Sequence, residues 1–103
     1  MPSLSNKPMV PLSPDEIIKV KEYAYDLLTW KDIAYLLGRP VCKFKMAIDD
    51  VNHPVHQAYH AGKVERKRNL RIPILKLAEM GSPQAELLAD KYLHEQDIAE
   101  ADD

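Results

Sequence analysis

His53, His56 and His60 crowd into a short stretch, and His56 and His60 lie four apart, a spacing that puts two imidazoles on one face of a helix. Two such rings could begin a zinc site, but zinc takes four ligands in a closed structural site. The lone cysteine, Cys42, stands well upstream, and neither Cys-x-x-Cys nor His-Glu-x-x-His occurs. Capping or surface roles are therefore expected for the histidines, with no metal and no cofactor. Cys42 has no activating neighbour motif and reads as a small helix residue, not a nucleophile. Asp49 and Asp50 are adjacent carboxylates, and adjacent helix positions do not face one site. Gly38, Gly62 and Gly81 are too scattered for a phosphate-cradling loop, and turns or close packing explain them better. An enzyme is not expected.

The remaining chemistry is charge. The chain of 103 residues has a net charge of −2, which by itself argues against a nucleic-acid binder. Its distribution argues differently. Residues 53–78 hold Lys63, Arg66, Lys67, Arg68, Arg71 and Lys76 against Glu65 alone, whereas residues 79–103 hold only Lys91 against eight acids. A basic middle suits phosphates, and an acidic tail suits a different partner.

These residues need elements to position them. Hydrophobic residues make up 46% of the chain, enough for a folded core, and the length suits one compact domain. No apolar run approaches a membrane span, no leader peptide is expected, and a single cysteine fits a reducing cytoplasm. Residues 1–13 read as a flexible arm, broken by Pro2, Pro8 and Pro11 and laid on the body through Met9, Val10 and Leu12. Ser13, Pro14 and Glu16 open a first helix with a capping box, running to Leu28. Thr29 with Asp32 opens a second, closed by Gly38, and Pro40 opens a third that ends near Asn52. Val55, Ala58, Tyr59 and Gly62 share a face of a long fourth helix, in which Pro73 predicts a kink or break. Ser82–Pro83 caps a last helix that carries Ala85, Leu88, Ala89, Tyr92 and Leu93 and frays into Ile98–Asp103. No two-residue alternation occurs, so the expected fold is all-α.

Within this order the run Thr29–Ile48, TWKDIAYLLGRPVCKFKMAI, has the spacing of a helix-turn-helix. Ala34 is small enough for close approach, Gly38 makes the turn, and Ile33, Leu37, Phe44 and Ile48 lock the pair. The helix after Pro40 would then enter the major groove, with Arg39, Lys43 and Lys45 as contacts. Lys63, Arg66, Lys67, Arg68 and Arg71 are further DNA-binding candidates, or partners for a neighbouring subunit's acidic tail. The organisation expected is a helix-turn-helix unit over 14–52, a helical hairpin for oligomerisation over 53–95, and an acidic tail over 96–103.

The same run, followed by AYHAGKVERKRNLRIPILKLAEMGSPQAELLADKY, resembles the small subunit of bacteriophage terminases over about residues 14–95. The residues carrying the resemblance are Ala58, Tyr59 and Gly62, then Lys76, Leu77, Ala78, Gly81, Ser82, Pro83 and Ala85. It implies a non-catalytic phage or prophage protein that binds double-stranded DNA at a packaging site and forms a homo-oligomeric ring. It also implies delivery of DNA to the terminase large subunit, although little chain beyond the hairpin remains for a separate docking domain. A transcriptional or mobile-element regulator, and an assembly adaptor that binds no DNA, are the alternative expectations.

Overall fold

The computed structural model describes residues 10–101, which form five α-helices and, among these residues, no strand. Positions 1–9 of the expected arm, Met9 included, and the final Asp102 and Asp103 lie outside the described residues. The helices are α1 (Pro14–Tyr25), α2 (Trp30–Leu37), α3 (Val41–Asp49), α4 (Pro54–Glu79) and α5 (Pro83–Ala101). No helix among the described residues is long and apolar enough to cross a membrane.

Local chemistry accounts for where the first helices begin and end. The Ser13 hydroxyl accepts from the Glu16 amide at 3.1 Å, and the Glu16 carboxylate accepts from the Ser13 amide at 3.1 Å. Thr29 and Asp32 repeat the exchange at the head of α2, at 3.3 and 3.2 Å. Each box satisfies amides that a helix start leaves without partners. Gly38 closes α2 at φ 67°, a left-handed conformation natural to glycine, and the Arg39 amide donates back to the Ala34 carbonyl at 2.9 Å.

Two boundaries depart from expectation. The first helix stops at Tyr25, not Leu28, because Leu27 takes φ 68° and the Leu28 amide reverses onto the Tyr23 carbonyl at 3.1 Å. That reversal lets Leu28 pack against the core and leaves Thr29 extended to cap α2. The third helix stops at Asp49, where Asp50 turns extended and its carboxylate caps the Asn52 amide at 3.0 Å.

The chain divides into two compact units, one ending at Arg66 and the other beginning at Lys67, and not at the expected 52/53 boundary. The core of the first unit explains the shift. Val20 and Ala24 of α1, Ile33 and Ala34 of α2, and Phe44, Ala47 and Ile48 of α3 pack with Val55, Ala58 and Tyr59 from the start of α4. Full burial of a side chain such as Phe44 contributes about 2–3 kcal/mol. Gly62 lets α4 approach α1 closely: a Cβ there would collide with the Lys21 carbonyl oxygen and sit 2.9 Å from the Ala24 Cβ. The first turns of α4 are therefore a fourth wall of this core.

The second unit is built differently. Helix α4 runs unbroken through Pro73, so the expected break is absent. Pro73 and Asn69, one turn apart, both lie on exposed positions of the helix. Gly81, at φ 90°, turns the chain, and α5 remains helical to Ala101 instead of fraying from Ile98. Arg71 bonds Glu95 at 3.3 Å and stacks 4.0 Å from the Tyr92 ring centroid, so α5 runs back alongside α4. Ala85 is the only buried apolar residue described in this unit.

Candidate nucleic-acid interface

Helices α2 and α3 are joined by Gly38, Arg39 and Pro40 and pack through Ile33, Ala34, Phe44 and Ile48, all buried, with Leu37 partly buried against them. The burial of Phe44, Ala47 and Ile48 fixes which side of α3 turns outward. Cys42, Met46 and Asp49 are exposed, and Lys43 and Lys45 flank them. The outward side is therefore cationic at its edges and carries an acid near its end.

Arg39 is not on that side. Its Nε and Nη2 donate to the Glu16 carboxylate at 2.9 and 2.5 Å, and Nη1 donates to the Val10 carbonyl at 2.8 Å. The pair is well shielded, with 14% of the Arg39 side chain and 23% of the Glu16 side chain exposed. Hydrogen bonds from Arg39 hold the Glu16 carboxyl down to about 2, and the Arg39 pKa is raised in return. The guanidinium expected to meet phosphate instead ties the turn to the start of α1.

A different set of cations converges. Lys31 and Lys45 lie 5.7 and 5.6 Å from the Trp30 ring centroid, and Lys63 lies 5.1 Å from that of Tyr59. The Tyr59 phenol, pushed up by burial, is hydrogen-bonded with the Trp30 backbone, which joins the two aromatic platforms. His60 packs edge-on to Tyr59 at 5.3 Å, and His56 packs against His60 at 4.4 Å. Asp49 pairs with Lys45 at 2.5 Å. Residues from the head of α2, the end of α3 and the first turns of α4 thus make one surface, rich in ammonium groups and aromatic rings. Sequence reasoning assigned Lys45 and Lys63 to separate groups, did not use Lys31, and read Trp30 as core or rim of the helix-turn-helix and Tyr59 as part of an apolar face. The signal available was Trp30 beside Lys31 and Tyr59 one helical turn before Lys63.

The remaining predicted cations are shared between the two units. Arg66 belongs to the first unit, 5.2 Å from the Tyr25 ring, whereas Lys67, Arg68 and Arg71 belong to the second. Lys67 and Arg71 line an open groove with Leu75, Ala89, Tyr92 and Glu95. The cluster Lys63–Arg71 therefore spans the boundary between the two units.

The histidines have individual structural roles. His53 Nδ1 accepts from the Val55 amide at 3.1 Å and so caps α4, and a ring nitrogen of His56 meets the Ile48 carbonyl at 2.6 Å. Among the described residues no three His, Cys, Asp or Glu side chains gather where they could hold a metal ion. Cys42 is free and exposed. No family model matches the chain, and no curated protein or solved structure matches it.

Proposed function

We propose that this chain is a non-catalytic protein that binds duplex DNA and assembles with copies of itself, of the terminase small-subunit type. On this reading it marks DNA for packaging and presents it to a large subunit. One observation carries the DNA-binding part. Two short helices, α2 and α3, meet at a left-handed glycine with their apolar residues buried on one side, as a helix-turn-helix requires. The flanking lysines, Lys43 and Lys45, supply phosphate contacts in this arrangement. Arg39 is a scaffold residue, and Lys31 and Lys63 take over part of the role first given to it.

Anisotropy of a labelled duplex, measured at low and moderate salt, tests the proposal. Replacing Lys43 and Lys45 together by Glu is expected to weaken binding at least tenfold, because each charge reversal removes a phosphate contact and adds a repulsion. Unchanged binding would remove α3 from the interface.

A second reading, an assembly adaptor without DNA, draws on the second unit. Its helices leave Leu75, Leu77, Met80, Leu87, Leu93 and Ile98 exposed, a pattern suited to a covering partner. Light scattering coupled to size exclusion, with and without duplex, separates the two: a stable oligomer that ignores DNA at low salt favours the adaptor.

A further inference from the structure

We propose that Lys31, Lys45, His60 and Lys63 form a proton-coupled site for duplex DNA phosphates, in which binding the backbone draws a proton onto His60. This inference rests on the DNA-binding reading and adds to it a regulation by pH.

The argument begins with the placement of His60. It lies exposed on the first turns of α4, between His56 at 4.4 Å and Tyr59 at 5.3 Å, and Lys63 follows one helical turn later. The charged and titratable groups facing it are His56 and Lys63 on its own helix and Asp49 on α3; Lys45 on α3 is bonded to that carboxylate. Lys31, on α2, extends the positive surface past Trp30. Burial, His56 and Lys63 all disfavour the imidazolium, and only Asp49, already engaged by Lys45, favours it. Burial is the first of these causes, and Lys63, one helical turn away, adds to it a cation that would also attract a polyanion.

Linkage fixes what happens next. A phosphate seated beside Lys63 offsets that ammonium's repulsion of the imidazolium and adds an anion next to the ring, so it favours the protonated form of His60. The bound state then holds a proton more readily than the free state, and affinity must rise as pH falls below the ordinary histidine value near 6.5. One site coupled in this way gives at most a tenfold gain in affinity per pH unit. The aromatic rings of Trp30 and Tyr59 hold the neighbouring ammoniums in place, so the surface is formed before DNA arrives.

The test uses the full chain, a duplex of about 20 base pairs and constant ionic strength. Affinity is expected to rise about three- to tenfold from pH 7.5 to pH 5.5. His60→Gln, an exposed substitution, should flatten that rise, so that its affinities at pH 5.5 and pH 7.5 differ by less than twofold. His94→Gln, on α5, should keep the wild-type profile. In proton NMR, the His60 ring should titrate about one pH unit higher with duplex bound. A pH-independent affinity, or a His60 titration unmoved by DNA, overturns the proposal while leaving DNA binding intact. Absence of duplex binding at low salt at either pH overturns both.

Discussion

Arg39 and Glu16, twenty-three residues apart, are joined by two hydrogen bonds that lock the turn after α2 against the first turn of α1. The same carboxylate also accepts from the Ser13 amide, so one side chain both caps α1 and orients the turn. Charged hydrogen bonds of this kind contribute about 1.5–3 kcal/mol when shielded, and partial exposure brings the expected value toward about 1–2. Arg39→Ala should therefore lower unfolding free energy by about 1–2 kcal/mol in urea titration. An Arg39→Ala variant that loses DNA affinity but no stability would return this residue to the interface.

The pair also predicts a pH response of folding. Glu16 titrates near 4.5 when unfolded and at about 2 when folded, so the unfolded chain takes up its proton first as pH falls. The stabilisation is complete above pH 4.5 and is lost as pH falls toward 2. Thermal melts from pH 5 to pH 2.5 should show a steeper loss for the wild type than for Glu16→Gln. Parallel curves would mean that Glu16 is not the group responsible.

Gly62 sets how closely α4 lies on α1. A Cβ would meet a backbone oxygen, that of Lys21, which no rotamer change can move aside, and would sit 3.1 Å from the Tyr25 amide nitrogen. Gly62→Ala gains helix propensity of about 1 kcal/mol, but the collision outweighs it. A net destabilisation of about 1–3 kcal/mol is expected, with the far-UV helical signal kept at low temperature. A neutral or stabilised variant would show that the two helices separate without cost.

Leu27 carries the opposite opportunity. It is 63% exposed and holds φ 68°, a conformation that costs a branched side chain about 1 kcal/mol and glycine almost nothing. Leu27→Gly should raise stability by about 0.5–1 kcal/mol in urea titration, with no change in DNA affinity. A loss of stability would place the Leu27 side chain in a contact that its exposure does not suggest.

These cases show what could be read from residue order. The capping boxes at Ser13 and Thr29 and the Gly38 stop were legible because each depends on residues within three positions of one another. The left-handed Leu27 was not, because nothing local marks a leucine for φ above zero, and the demand comes from Leu28 reaching the core. The pairing of Arg39 with Glu16 was not legible for a similar reason. The partners are distant in sequence, and a positive charge in a turn reads equally as a phosphate contact or a buried pair. The Lys31–Lys45–Lys63 surface needed three helices to bring it together. The Val55, Ala58, Tyr59 and Gly62 face was legible as apolar, but not as a wall of the first unit's core.

The second unit makes the last prediction. Met80 and Leu87 are 81% and 72% exposed, and Ala85 alone is buried among the described apolar residues there. Two helices joined by a partly exposed ion pair and a stacked tyrosine, with Ala85 the one buried apolar residue described, have little of the apolar burial that stabilises a helix in a protein. A self-association that covers Leu75, Leu87 and Leu93 would supply it, and the basic α4 segment and acidic α5 offer complementary charge to a second copy. Leu87→Glu combined with Leu93→Glu should shift the protein to a smaller species in light scattering and reduce helical content, because uncovered α5 frays. The first unit's core lies elsewhere, so its cooperative melt should persist in the variant. A double variant with unchanged mass and helicity would show that α5 is not the surface through which copies of the chain meet.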